Sequence, residues 1–105
     1  MEEYVCATVR GNPGEAEAAF KGRLTTFWTH MLRARPDDYE KVYAEATKFE
    51  ADAGSVTRQY MVQTDGLAVL LAELTAAGLA FEPPDEDETY SKYEATSPDW
   101  FQLEH

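Results

Sequence analysis

The sequence predicts an α+β fold, a two-layer sandwich in which a small sheet of three or four strands carries its helices on one face. The chain has 105 residues, a length typical of one domain with a modest core. Two segments alternate apolar and polar residues, as half-buried strands do, and other segments repeat apolar residues at helical spacing. The predicted order is β-α-α-β-α-β, to which the tail can add a strand, in a ferredoxin-like or related arrangement.

The first strand is predicted over residues 3–10. Val5, Ala7 and Val9 lie on one side of an extended chain and alternate with more polar residues. We therefore expect the valine side to face the core. The turn sequence Gly11-Asn12-Pro13-Gly14 ends this strand.

A first helix is predicted from Pro13 to about Arg33. Asn12 can cap this helix, and a proline is favourable in the first turn, where its missing N–H is no loss. Apolar residues recur every three or four positions, which predicts one buried stripe. The stripe comprises Ala16, Phe20, Leu24, Phe27 and Met31, and it is broadened by Trp28 and Leu32.

A second helix is predicted from Pro36 to Ala53, with Gly54 as its terminator. Asp37 and Asp38 lie in its first turn, where carboxylates interact favourably with the helix dipole. Its buried stripe is expected to comprise Tyr39, Val42, Ala46, Phe49 and Ala53.

The stretch from Ser55 to Glu82 has the clearest pattern and predicts a strand, a helix and a second strand. Tyr60 and Val62 lie on the apolar side of the first strand, which Arg58 interrupts. Gly78 occupies the position where helices often end in a left-handed residue. A strand, helix and strand with short connections favour a parallel crossover. The helix is expected to be capped by Thr64 and Asp65 and to bury Leu67, Leu70, Leu71 and Leu74.

The formal charge of −11 is unevenly distributed. Residues 1–81 hold 12 acidic and 8 basic side chains, net −4, whereas residues 82–105 hold 8 acidic and 1 basic, net −7. An acidic chain repels nucleic-acid backbones and anionic lipids, so we predict no nucleic acid and no membrane as partner. The single cysteine favours a reducing, cytoplasmic location.

The composition therefore divides the chain into one α+β domain over residues 1–82 and an acidic, aromatic-containing tail or hairpin extension over residues 83–102. Residues 103–105 resemble the remnant of a purification tag. Within the extension, Thr89–Glu94 is expected to pair with Leu79–Glu82 as an edge strand.

Few residues can carry chemistry, and each has a structural explanation. His30 lies near the end of the first helix and can act as a general base, but the sequence shows no partner for it. Cys6 has no neighbouring cation to lower its pKa. The carboxylates of Asp37, Asp38 and Glu40 match no calcium loop. We therefore predict no catalytic, cofactor-binding or metal-binding residue and no cofactor, and the balance is against an enzyme.

Three functional hypotheses remain. The first is a non-enzymatic protein-interaction or regulatory module whose tail binds a basic protein, unless the tail aromatics cover the domain's own sheet. The second is a small-molecule-binding regulatory domain that acts as a homodimer, because the wide apolar stripe of the first helix exceeds what a narrow sheet buries. The third is an enzyme that uses His30 with a carboxylate. The predicted partner-binding residues are Asp85, Glu86, Asp87, Glu88, Tyr90, Tyr93, Trp100 and Phe101.

Overall fold

The structure, a computed structural model, describes residues 3–43, 49–52 and 54–91. The helices are α1, Glu17–Ala34; α2, Pro36–Tyr39; and α3, Leu67–Ala76, which follows a 3₁₀ turn at Thr64–Gly66. The strands are β1, Glu3–Arg10; β2, Val42–Tyr43; β3, Phe49–Asp52; β4, Ser55–Gln63; β5, Ala80–Glu82; and β6, Tyr90–Ser91.

These strands form one antiparallel sheet with β1 and β4 at its centre. β2 and β3 pair with the outer edge of β4, and β5 and β6 pair with the outer edge of β1. Because β4 and β5 are both antiparallel to β1, they run parallel to each other, as the predicted crossover through α3 requires. The same holds for β1 and β2, which α1 and α2 connect. The predicted α+β class, a small sheet combined with helices, is confirmed.

Both long helices pack on one face of the sheet. Val5, Ala7 and Val9 point to this face from β1, and Tyr60 and Val62 point to it from β4, all of them buried. The alternation in the two strands therefore predicted the core face correctly. The helices and the following loop complete the core with Phe20, Leu24, Phe27, Met31, Leu70, Leu74 and Leu79.

The opposite face of the sheet holds a second, smaller apolar cluster. Tyr4 and Met61 are buried there, and Cys6 and Tyr90 pack against them. The Gln63 side-chain amide donates a hydrogen bond of 3.2 Å to the Tyr4 hydroxyl. Both faces of the central strands therefore bury apolar side chains.

The predicted second helix is wrong beyond its first turn. α2 ends at Tyr39, and the chain continues as β2 and β3, with Val42 opposite Val62 and Asp52 opposite Ser55. Without these short strands, the nine residues of β4 would leave their outer N–H and C=O groups unpaired. Pairing along that edge outweighs the helical spacing of the apolar residues. Two residues of the predicted stripe, Ala46 and Ala53, lie outside the described residues.

Several predicted helix ends also differ. α1 begins at Glu17 rather than Pro13, without a side-chain cap, because Gly14 takes φ 77° and interrupts the helical path. Side-chain caps from Thr64 and Asp65 are absent from the turn before α3. Gly78 has φ 74° after α3, as predicted.

Gly54 is left-handed, with φ 83°, but it does not terminate a helix. It directly precedes Ser55, the residue of β4 that pairs with Asp52 of β3. Tight hairpins of this kind favour glycine because they require positive φ.

The tail contributes a strand, but at a different edge from the predicted one. β6 places Ser91 opposite Glu3 and Tyr90 opposite Tyr4, so it pairs with β1 and not with Leu79–Glu82. β5 covers β1 only from Thr8 onward, which leaves the first half of that edge available for β6. The rest of the predicted strand, residues 92–94, lies outside the described residues. Across the described ranges, no helix has the length and apolar character needed to cross a bilayer.

Candidate functional site

Two cavities lie on the two flanks of α1. The first, which we call the aromatic pocket, has a volume of about 410 Å³ and is lined by Lys21, Leu24, Thr25, Trp28, Thr29, Leu32, Tyr39, Val42, Arg58 and Tyr60. The second, which we call the His30 groove, has a volume of about 570 Å³ and is lined by Arg23, Thr26, Phe27, His30, Glu73, Ala76, Ala77 and Leu79.

Helical periodicity explains why one helix serves both cavities. Residues three or four positions apart share a side of a helix, so Thr25, Trp28 and Thr29 point to one flank of α1. Thr26 and His30 point to the other flank. The core stripe of α1 runs between the two flanks.

Aromatic side chains form the wall of the aromatic pocket. The Trp28 ring packs at 5.0 Å from Tyr60, measured between centroids, and edge-on at 6.1 Å from Tyr39. The Trp28 indole N–H donates a hydrogen bond of 2.9 Å to the Tyr60 hydroxyl oxygen. This bond fixes the position of the two rings relative to each other, so the wall of the pocket is already formed without a ligand.

The Tyr60 hydroxyl has unused hydrogen-bonding capacity. Tyr60 is 1% exposed, and burial raises the pKa of its phenol, so the group stays protonated at neutral pH. An indole N–H can only donate, so the Tyr60 oxygen is the acceptor and its own hydrogen is left to donate. Among the described residues, Trp28 is the one hydrogen-bond partner of this hydroxyl.

Two cations complete the aromatic pocket. Arg58 lies with its guanidinium 5.8 Å from the centroid of the Tyr60 ring, a cation–π contact. Lys21 lies on α1 and is 3.9 Å from Glu17. Although the whole chain has 20 acidic and 9 basic side chains, the described lining of this pocket contains two basic residues and no acidic one.

The His30 groove is organised around one carboxylate. His30 Nε2 lies 3.0 Å from Glu73 Oε2, and Arg35 Nε donates to Glu73 Oε1 at 3.3 Å. An ionised carboxylate only accepts hydrogen bonds, so the His30 ring carries a hydrogen on Nε2. The bond from His30, followed by that from Arg35, lowers the pKa of the Glu73 carboxyl.

An enzyme that uses His30 requires this imidazole to lie in a cleft within hydrogen-bonding distance of a carboxylate. His30 meets this requirement in the His30 groove, where its partner is Glu73. The pair is exposed, however, with the His30 side chain 56% accessible to solvent. Glu73 is shared with Arg35, and this three-residue network links α1 to α3. The catalytic role of His30 stays a prediction.

A second ion pair borders the same groove. Arg23 donates to both carboxylate oxygens of Glu15, at 2.6 and 2.8 Å, and the Asn12 N–H donates to Glu15 at 2.9 Å. These bonds, led by the one from Arg23, lower the pKa of the Glu15 carboxyl. The pair stabilises the loop before α1 and holds Arg23 at the rim of the groove.

The predicted partner-binding residues divide into separate environments. The side chains of Asp85, Glu86, Asp87 and Glu88 are exposed on a turn after β5. Tyr90 is half-buried against the second cluster, and its hydroxyl donates to Glu88 at 3.1 Å. The remaining predicted residues, Tyr93, Trp100 and Phe101, lie outside the described residues.

Cys6 lies at a third cavity of about 190 Å³, formed with residues of the tail. Burial raises the pKa of its thiol from 9.0 to about 11, assisted by the nearby carboxylate of Glu88. A thiol with this pKa is a poor nucleophile near neutral pH. Among the described residues, no three His, Cys, Asp or Glu side chains are grouped to hold a metal ion.

Sequence reasoning did not find the aromatic pocket. In the sequence, Arg58 only interrupts the apolar side of β4, and Trp28 widens the stripe of α1, which favours a dimer interface over a pocket wall. A cation on a core-facing strand position was the available signal. The contact between residues 28 and 60 depends on the crossover that brings α1 over β4, which no local pattern reveals.

No protein-family model matches the chain, and neither a curated protein nor a solved structure matches it. The function is therefore argued from the geometry of the two cavities.

Proposed function

We propose that this domain binds a small molecule in the aromatic pocket and acts as a regulatory, non-enzymatic module. One observation carries the proposal: the buried Tyr60 hydroxyl accepts from Trp28 and has its own hydrogen left to donate at the surface of a cavity. A buried polar group without its full set of partners is destabilising, and an acceptor on a ligand can satisfy it.

The size and lining of the pocket support this proposal. Small-molecule sites usually have volumes of about 300–1,000 Å³, with apolar and aromatic walls and a few placed polar groups. The aromatic pocket, at about 410 Å³, has this composition. The rings of Trp28 and Tyr60 are already joined by a hydrogen bond, so little ordering is required when a ligand binds.

A thermal-shift screen of metabolites tests the proposal, with two matched variants on α1. Thr29→Phe fills the aromatic pocket from an exposed position, and Thr26→Phe fills the His30 groove in the same way. We expect a ligand that raises the melting temperature of the wild type and of Thr26→Phe with saturable dose dependence, but not that of Thr29→Phe. A hit that Thr29→Phe retains, or no hit at all, contradicts the proposal.

A second candidate function is the protein-interaction module, favoured by the exposed acidic turn formed by residues 85–88. Exchanging Asp85, Glu86, Asp87 and Glu88 for their amides removes four charges and keeps the side-chain shapes. We propose that a basic protein partner is lost from this variant in affinity purification at low salt. Recovery of the same partner by both proteins would contradict this candidate function.

The predicted homodimer is a separate proposal. Leu32, at the mouth of the aromatic pocket, is 52% exposed, and an interface there would cover it. Light scattering of the wild type and of Leu32→Glu tests this: a dimer that Leu32→Glu converts to a monomer supports it, and a monomeric wild type contradicts it.

A further inference from the structure

The aromatic pocket also indicates what class of ligand it takes, an inference that depends on the proposed function. The pocket offers three kinds of contact at known positions. Tyr60 supplies an O–H donor, Arg58 supplies a cation beside the same ring, and Trp28 and Tyr39 supply aromatic surface. The ligand must match all three.

The donors select an acceptor with negative charge. The hydrogen of the Tyr60 hydroxyl and the guanidinium of Arg58 can both donate, and neither can accept. Lys21 adds a third donor among the lining residues, and no described lining residue carries a carboxylate. Hydrogen bonds to an ionised acceptor are about twice as strong as those between neutral groups, so an anion gains most from this arrangement.

The walls select a flat, apolar body. Trp28 and Tyr39 meet edge-on with their ring centroids 6.1 Å apart, and Leu24 and Val42 line the same cavity. Aromatic and planar molecules pack well against such surfaces in offset or edge-to-face geometry. A compact polar anion such as inorganic phosphate would leave these apolar walls unmatched.

We propose that the ligand of the aromatic pocket is a planar, apolar monocarboxylate whose carboxylate accepts from Tyr60 Oη and Arg58 while its ring or conjugated chain packs against Trp28 and Tyr39. This assignment names a chemical class, the aromatic or conjugated acids.

Cinnamate and its neutral isostere cinnamamide test the assignment, because they share a planar body and differ in charge. Both are titrated into the protein by calorimetry. We expect cinnamate to bind more tightly than the amide by about tenfold, since hydrogen bonds to an ionised acceptor are stronger than those to a neutral one.

Substitutions in the two cavities show which residues cause the difference in affinity between cinnamate and cinnamamide. Arg58→Gln should weaken cinnamate by about tenfold and leave the amide nearly unchanged. Tyr60→Phe should weaken both probes, because the carbonyl oxygen of the amide also accepts from the Tyr60 hydroxyl, with the larger loss for cinnamate. Arg23→Gln, on the other flank of α1, removes a cation from the His30 groove and should change neither. Urea unfolding of each variant identifies any that fails to fold, and Arg58→Gln serves if Tyr60→Phe is unstable.

Two results overturn the assignment, and they are distinguishable. If both probes bind equally and Thr29→Phe abolishes both, the pocket binds small molecules but does not select a carboxylate, so the proposed function survives alone. If neither probe binds the wild type at millimolar concentration, the assignment is wrong, and a metabolite that still passes the thermal-shift screen would keep the proposed function.

Discussion

The two flanks of α1 hold polar groups in opposite ways. In the aromatic pocket, Trp28 and Tyr60 are joined by one hydrogen bond in a site where Tyr60 is 1% exposed. In the His30 groove, Glu73 accepts from both His30 and Arg35, and the His30 side chain is 56% exposed. In the aromatic pocket, the buried Tyr60 hydroxyl has a hydrogen left to donate. In the His30 groove, the charged groups pair with one another close to solvent.

This difference decides which cavity is the better site, although the larger cavity is the groove. An exposed ion pair is well solvated whether or not a ligand is present, and it contributes little to stability. A buried donor has lost water and gains more from a ligand acceptor. The state of the polar groups is therefore more informative about binding than the cavity volume.

The largest expected difference between the aromatic pocket and the His30 groove is in the free energy of unfolding. Trp28→Ala removes a ring packed against Phe27, Tyr39 and Tyr60 and should lower the free energy of unfolding by about 3 kcal/mol. His30→Ala, two residues along the same helix, is the control and should have a much smaller effect. Urea denaturation measures both, and equal losses would show that the two flanks contribute equally to packing.

A smaller effect is expected from the hydroxyl of the pocket. Tyr60→Phe leaves the Trp28 indole N–H without its acceptor and should reduce stability by about 1–2 kcal/mol. In a double-mutant cycle with Trp28→Phe, the combined loss should be less than the sum of the single losses, because both variants remove the same bond. Additive losses in urea denaturation would mean that the bond contributes nothing.

Lowering the pH should weaken the hydrogen-bonded network around Glu73 in the His30 groove. The pKa of Glu73 is lowered from its usual 4.5 by His30 and Arg35, so its contribution is present above that pH and is lost as the pH falls through the lowered pKa. Glu73→Gln should therefore lose stability relative to the wild type at neutral pH, and the difference should shrink under acid conditions. Denaturation curves across this range test it, and a difference independent of pH is the contrary result.

The smallest expected effect concerns the other face of the sheet. The pKa of Cys6 is raised to about 11, mainly by burial, so alkylation by iodoacetamide at about pH 8 should be much slower than that of an exposed thiol. Mass spectrometry follows the reaction, with the urea-unfolded chain as the control. Equal rates in the folded and unfolded chain would show that the thiol is not protected.

The elements that could be predicted are those that local pattern specifies. The alternation of Val5, Ala7 and Val9 predicted the face that β1 buries, and Gly78 marked the end of α3 by its left-handed backbone. In each case the deciding interaction lies within a few residues, between a side chain and its own strand or helix. The sheet with helices on one face followed from joining these elements by short connections.

The elements that could not be predicted depend on partners distant in sequence. Val42 belongs to a strand because β4 offers it an unpaired edge, although its spacing from Tyr39 also fits a helix. Tyr90 pairs with Tyr4 because β5 stops short of that part of β1. Of the residues at the two cavities, the sequence indicates His30 only as a candidate general base without a visible partner. For Arg58 and Trp28 no local pattern indicates a pocket.

The sequence by itself determined the α+β class, the inward faces of the central strands and the acidic character of the chain. These properties follow from alternation, helical spacing and charge, which act locally or add over all residues. Only the tertiary structure decided that the segment after α2 is strand, and that Trp28 donates to Tyr60 across 32 positions of the sequence. That contact exists because the crossover lays α1 over β4, and the pocket we propose as the binding site exists for the same reason.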